Sequence, residues 1–517
     1  MKRLGFGPRT IRIDYADDGM MKVHLVKGSQ PYAKYDVQSG GPIRNECLPT
    51  LRAAGIDPEK ETIVIFCNMS NWNAEQRVIT QNSPYYAGGT NRSGTAWQVD
   101  SPILELASLA NKEPRVKDGQ YGDISIGRYN SIFIGGVCHE LGHALGLPHN
   151  KERPDEQAAF GTALMGSGNR TYGENLRGEG KGSFLTLAHG LKLASHPIFS
   201  GSVKGIDLPS NAEVSAVTLE NRGKAFTLSG TVKADPPAYA VLGYMDPDGG
   251  GDYDATTCTA IPDAEGKFVL DANALAAGKS GVFRVVVVQA NGAANSFAGA
   301  SSRITFPYLV AADGSVDLSA SEARLELAPL LESLERPADG AAAALKPVEA
   351  SSAGPLVKET ARVLAASVGF KPGPSPAAAE GILCHLSEAA PKSARVGYGR
   401  ALPNRLPEGL LFSCGSRLFP RGLYAHAMSS HVWDLGGKWK SLEGHAGLPD
   451  GHDGGSCVFV VKADGKELWR SPKTEPGALR SFKVSIDGVS NLELLVEDAG
   501  DGIGSDWGCW FAPQVTR

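Results

Sequence analysis

The sequence predicts a multidomain chain: an α/β domain over residues 1–204, an immunoglobulin-like β-sandwich over 205–315, an Ala/Pro-rich and partly helical linker over 316–388, and a second all-β domain over 389–517. Three observations carry this expectation. An apolar, histidine-bearing stretch at 131–165 reads as a metal-binding helix, hydrophobicity changes to period two near residue 205, and strand-like segments resume after a stretch at 316–377 rich in Ala, Pro, Ser and Glu. A chain of 517 residues accommodates about three or four domains.

In the first domain, RTIRIDYA and MKVHLVKG flank Asp17-Asp18-Gly19 and read as a hairpin. Residues 45–56 read as a helix and ETIVIFCNM (61–69) as a buried strand, so helices are expected to cover a twisted sheet. SPYYAGGTNRSGTAWQV (84–100) is glycine-rich and ends in a short strand-like run. At 131–165, His139, Glu140 and His143 form HExxH, and Gly146 and His149 extend it to HExxHxxGxxH. Helical positions four apart share a face, so two imidazoles can grip one ion. Gly146 lets the chain leave the helix, and His149 returns beneath the metal. Three neutral imidazoles plus a water suit a tetrahedral Zn²⁺ with one exchangeable position, the arrangement of a catalytic site. Glu140, one residue past a ligand, reaches that water without binding the ion, whose field lowers the water's pKa toward roughly 7. That chemistry is amide hydrolysis. The competing reading, a helix whose histidines only fill space, is disfavoured because IFIGGV leads into the motif while Leu141, Ala144 and Leu145 supply a packing face.

HExxHxxGxxH is similar to the zinc signature of the metzincin metallopeptidases. The resemblance implies peptide-bond hydrolysis and a methionine turn beneath the metal, for which Met165 in GTALMGSGNRTYG is the candidate. Several metzincin families place a tyrosine two residues after this methionine. Ser167 stands there, which leaves Tyr172 as candidate transition-state donor, with a packed or surface tyrosine as the alternative. The sheet-edge strand that pairs with substrate in the family would correspond to Gly94, Thr95, Ala96 and Trp97, with a plain glycine-rich loop as the alternative. A side-chain pocket would form near 162–173, and 183–197 would be the last helix of the domain, with Ser183 or Thr186 as N-cap and with His189 and His196 structural or facing solvent.

From 205, six or so strands recur between Gly, Pro and Asp turns, as in KAFTLSGTVKA, YAVLGYM and VFRVVVVQA. DPDGGGDYD (246–254) offers four aspartates to a Ca²⁺ without EF-hand spacing, so an acidic turn is the commoner reading. ARLELAPLLESLE and LVKETARVLAASV read as short helices of the linker.

YAHAMSSHVWDLGGKWKSLEGHAGL, GSCVFVVKADGKELWRSP and VSIDGVSNLELLVEDAGDGIGSDWGCW are similar, in order and spacing, to the carbohydrate-binding module of the NPCBM type. The resemblance covers roughly 390–517 and implies a jelly-roll β-sandwich with a carbohydrate ligand. Most of its tryptophans are expected in the core. Trp507 and Trp510, beside Asp498, Asp501 and Asp506, form a candidate site for a glycan or a structural Ca²⁺.

A formal charge of -5, a pI near 6.2 and dispersed Lys and Arg argue against a nucleic-acid partner. No run of 18 apolar residues marks a membrane span, and eight cysteines are too few for a disulfide scaffold. Met1-Lys-Arg leads into GFGPRT rather than a signal-peptide core. An extracellular or cell-envelope location and a monomeric state are expected from the enzyme class and its appended modules. The expected activity is that of a zinc endopeptidase acting on proteins or glycoproteins. Two other readings stay open: a glycan-binding protein with a vestigial zinc site, and a zinc amidase acting on a sugar or peptidoglycan amide.

Overall fold

The computed structural model describes residues 1–248, 251–296, 305–333, 339–452 and 454–517. Gly249 and Gly250 of the acidic turn, 302–304 of the last expected sandwich strand and 334–338 of the linker lie outside the described residues. The chain forms two compact units. The first comprises Met1–Thr218, Thr227–Ala274 and Val285–Ser296, the second Leu219–Phe226, Leu275–Arg284 and Phe297–Arg517. The division falls inside residues 205–315, so the expected sandwich is not a unit of its own.

In the first unit, helix α1 (Gly40–Ala53) precedes strands β1 (Thr62–Cys67), β2 (Ser70–Asn73), β3 (Val78–Gln81), β4 (Tyr86–Gly89) and β5 (Gly94–Val99). Strands β6 (Arg115–Asp118) and β7 (Gly122–Ser125) lead into the 19-residue helix α2 (Ile126–Ala144). Strands β1, β5 and β4 form one sheet in that order, with β5 parallel to β1 and antiparallel to β4. Strands β2, β3, β6 and β7 form another. Helix α2 starts where the Ser125 hydroxyl accepts the Arg128 amide proton at 3.1 Å, and it buries Tyr129, Ile132 and Phe133 against Ile79, Val99 and Val116.

The glycines of 84–100 have a steric cause. A Cβ on either Gly89 or Gly94 would lie 1.9 Å from the Ala144 carbonyl oxygen, so only glycine lets the β4–β5 turn press on the end of α2. The same strand pair corrects an expectation. Gly94, Thr95, Ala96 and Trp97 are not a sheet edge, because β5 is the central strand and its main chain is paired to β1 on one side and β4 on the other. The outer strands are β1 and β4. The hairpin expected around Asp17-Asp18-Gly19 shrinks to a bridge between Tyr15 and Met21, since Ile13, Val23 and Leu25 are exposed and have no apolar face to cover.

The helix Leu187–Ser195 follows Thr186, whose hydroxyl accepts from Asn150 Nδ2 at 2.9 Å instead of capping the helix. His189 and His196 are both buried. Ala188 and Leu191 of this helix share a core with Ala240, Leu242, Tyr244 and Ala255, so one apolar core joins residues on both sides of position 204.

In the second unit, three helices, Ser319–Ser333, Asp339–Ala350 and Pro355–Ser367, bury Ala323, Leu327, Leu330, Val357, Ala361 and Leu364 together. The interval read as a linker is therefore a packed helical cluster, because the apolar stripes of its short helices cover one another. Its last part is stitched into the following β domain: Gly373 bridges Ala389, and Trp439 Nε1 donates to the Pro376 carbonyl at 3.1 Å. The C-terminal domain has two five-stranded sheets. One runs Leu383–His385, Cys509–Thr516, Ser441–Gly447 and Arg480–Ser485, with Gly422–Tyr424 also on Cys509–Thr516. The other runs Ser393–Arg395, Ser429–Asp434, Asn491–Asp498, Cys457–Ala463 and Lys466–Arg470. Trp433, Trp439, Phe459 and Trp510 fill the core they share. The eight cysteines are free, and among the described residues no helix is long and apolar enough to cross a membrane.

Replacing Gly94 by alanine forces β5 away from α2, because the neighbour it meets is backbone and cannot rotate aside. Gly94→Ala is expected to destabilise the first unit by about 1–3 kcal/mol in chemical denaturation. An unchanged unfolding midpoint would show that the contact has room for a methyl group.

Candidate metal centre

The last turn of α2 carries His139 and His143 on one face, and Gly146 (φ 79°) then reverses the chain in the left-handed region. Leu147 N donates back to the Gly142 carbonyl at 2.9 Å, which closes the helix and carries His149 under the two helical imidazoles. His143 Nε2 lies 3.2 Å from His139 Nε2 and 3.0 Å from His149 Nε2. Tetrahedral Zn²⁺ with Zn–N bonds of about 2.0–2.1 Å needs nitrogens about 3.3 Å apart, and these two separations are close to that.

The tautomers agree with this. His139 Nδ1–H donates to the Leu164 carbonyl at 2.7 Å, and His143 Nδ1–H donates to the Leu147 carbonyl at 2.8 Å. A carbonyl can only accept, so in both rings the lone pair is on Nε2, aimed at the common point. Burial pushes the pKa of His139 down to about 4, which keeps the imidazole neutral. Lone pairs crowded this closely repel unless a cation lies among them. Among the described residues, these three histidines are the one group of three or more His, Cys, Asp or Glu whose ligand atoms all lie within 4.8 Å of one another.

Glu140 is buried beside this set, and desolvation raises its carboxyl to about 7. Met165 is fully buried beneath the helix, where a Cβ on Gly142 would lie 2.4 Å from its sulfur. Asn150 N donates to the Met165 carbonyl at 3.3 Å, and Ala163 N donates to Glu152 Oε2 at 2.9 Å, so the segment after His149 is tied to the methionine segment. Leu145, Leu147, Met165 and Leu193 form the small apolar core of this region. Tyr172 lies against Gly135 of α2.

Sequence reasoning missed Tyr253. Its ring stacks on His149 with centroids 3.6 Å apart and planes at 24°. An aromatic residue inside the acidic turn was the only local signal, and nothing in the sequence tied that turn to residue 149.

In the C-terminal domain the structure separates the candidate residues. Trp510 is fully buried in the core and cannot face a ligand, because the sandwich interior needs its ring. Trp507 is buried too, with His452 stacked on it at 4.2 Å. Asp498 does not line the neighbouring cavity, and the three aspartates do not converge as a cation site would require. Asp501 and Asp506 do line that cavity, which has a volume of about 470 Å³ and is shared with Ser456, Lys473 and Glu475. Asp501 accepts from Lys473 Nζ at 2.9 Å and from the Ser456 hydroxyl at 2.9 Å. Asp506 accepts the Ser456 amide proton at 2.9 Å through Oδ1, while its Oδ2 is buried with no hydrogen-bond partner.

A family model described as the NPCBM/NEW2 domain matches residues 383–516. The C-terminal segment is an NPCBM/NEW2 carbohydrate-binding module. Its match begins at the strand Leu383–His385, a few residues before the boundary expected at 389. No curated protein matches the chain. Among solved structures, the chain is similar to wild-type OgpA from Akkermansia muciniphila, at 24% identity over 60% of this chain and 82% of that one, with a TM-score of 0.48. The same values hold for catalytically inactive OgpA in complex with an O-glycopeptide substrate, glycodrosocin. The CBM51 of Clostridium perfringens GH95, in complex with methyl-galactose, is similar at 30% identity over 26% of this chain and 99% of that one, with a TM-score of 0.25.

Removing the third imidazole leaves two convergent nitrogens. His149→Ala is expected to lower zinc content, measured by elemental analysis after dialysis, from about one ion per chain to well below half. A content unchanged from the parent would mean that another group completes the site.

Proposed function

We propose that the chain is a zinc-dependent endopeptidase of the metzincin type, carrying its NPCBM/NEW2 module as an anchor on glycosylated substrates. The observation that carries the reading is the convergence of His139, His143 and His149 Nε2 atoms beside the buried carboxyl of Glu140. A zinc ion held by those three nitrogens supplies Lewis-acid chemistry at a peptide carbonyl. Glu140 takes a proton from the attacking water and returns it to the leaving amine. Met165 underlies the ligand helix as the methionine turn, and its packing on Gly142 fixes the height of that helix.

Substrate alignment falls to β4. It is one of the two outer strands of its sheet, with a main-chain edge that an extended peptide can extend, and its end lies next to the metal loop, where a Cβ on Gly146 would be 3.3 Å from the Gly89 carbonyl. Glycoproteins as substrates, and with them an extracellular or cell-envelope setting, rest on the module alone. The cavity around Asp501, Asp506 and Lys473 provides acceptors and a donor for sugar hydroxyls and is our choice of glycan site.

Glu140→Gln is expected to retain zinc and the parent's melting temperature while hydrolysis of a test protein falls by at least about 100-fold, since an amide cannot accept the proton. Turnover near the parental rate would remove Glu140 from the chemistry. For the module, Lys473→Ala is expected to weaken retention on immobilised mucin-type glycoprotein and to leave cleavage of a short unglycosylated peptide unchanged. Equal loss on both would mean that the cavity is structural.

A further inference from the structure

His139 and His143 are fixed twice over, by the helix that carries them and by a carbonyl at each Nδ1. His149 lies beyond the helix, in the loop that Gly146 opens, and helix geometry does not set its ring plane. A contact from far along the chain bears on it. Tyr253, between the strands Ala238–Pro247 and Thr256–Ala260, lays its ring on the imidazole at a centroid distance of 3.6 Å and an angle of 24°.

We infer that Tyr253 is a positioning residue for the third ligand of the metal centre: its ring holds the His149 imidazole in the plane that points Nε2 at the ion. This inference rests on the zinc reading above. Tyr253 cannot drift off the imidazole without breaking other bonds, because the next residues are fastened to the loop that carries His149. The Lys151 amide donates to the Ala255 carbonyl at 2.6 Å, Lys151 Nζ lies 3.6 Å from an Asp254 carboxylate oxygen, and Ala255 is buried in the core under Ala188 and Leu191. Tyr253 keeps half of its surface exposed, so covering apolar area is a weak explanation for the stack. Holding a ligand ring in place is a better one, because groups that orient metal ligands commonly change metal affinity by about 10–100-fold. The turn between the strands Ala238–Pro247 and Thr256–Ala260 therefore supplies part of the metal centre. Residues 1–204 alone do not contain all of it.

The test compares Tyr253→Ala, Tyr253→Leu and Tyr253→Phe in the full-length chain. Zinc affinity is measured by competition with a chromogenic chelator, and the melting temperature of the zinc-free protein is measured alongside. Alanine and leucine are expected to weaken zinc binding about 10–100-fold at an unchanged zinc-free melting temperature, while phenylalanine, which keeps the ring, stays within about threefold of the parent. A parent that binds zinc together with an alanine variant that binds it equally tightly overturns this inference and leaves the zinc reading standing. So does leucine matching the parent, or phenylalanine losing as much as alanine. A parent that takes up no zinc overturns both.

Discussion

The close approach of helix α2 to its neighbours is the constraint on which the metal centre depends. A single methyl group would collide at several of these contacts: Gly89 and Gly94 meet the Ala144 carbonyl, Gly127 and Gly135 meet the carbonyls of Asn111 and Asn169, Gly136 meets the Tyr85 hydroxyl, and Gly142 meets the Met165 sulfur. The helix is thereby clamped between the β4–β5 strand pair and the methionine segment. With its position set, the His139 and His143 nitrogens are placed by helical periodicity, and carbonyls of Leu164 and Leu147 set their tautomers.

What could be read from the sequence was local. The HExxHxxGxxH spacing is set by one helix and the turn that ends it, so the three imidazoles and Glu140 were legible without knowing any tertiary contact. The choice of edge strand was not. Strand β5 is flanked on one side by β1, far earlier in the chain, and on the other by its own hairpin partner, and no pattern inside Gly94–Val99 records that parallel pairing. Tyr253 was invisible for the same reason, since its contact with His149 depends on how two distant turns dock. The hairpin near Asp18 failed in the opposite way: its alternation was present, but the residues had nothing apolar to cover.

In the module, spacing of segments identified the family, whereas the neighbourhood of Trp507, Trp510 and the aspartates in the sequence did not show that both rings are buried. Trp510 has the ring a sugar platform would use, yet a sandwich of two five-stranded sheets takes it into the core. The residues left at the surface cavity are the polar ones, Ser456, Lys473, Asp501 and Asp506. Burying Asp506 Oδ2 without a partner is costly, and a ligand hydroxyl donating to it would remove that cost. In the interval before the module the two short helices were legible, but not that they pack together. Alanine-rich helices bury little area each, and only together do Leu327, Leu330, Val357 and Leu364 make a core.

X-ray absorption at the zinc edge of the zinc-loaded protein tests the central claim most directly. The account predicts a single zinc environment with three imidazole nitrogens at about 2.0–2.1 Å, one further light-atom ligand and no sulfur, since Met165 packs beneath the site without binding. A spectrum with sulfur in the first coordination sphere, with two imidazoles, or unchanged when His139, His143 and His149 are all replaced by alanine would contradict it.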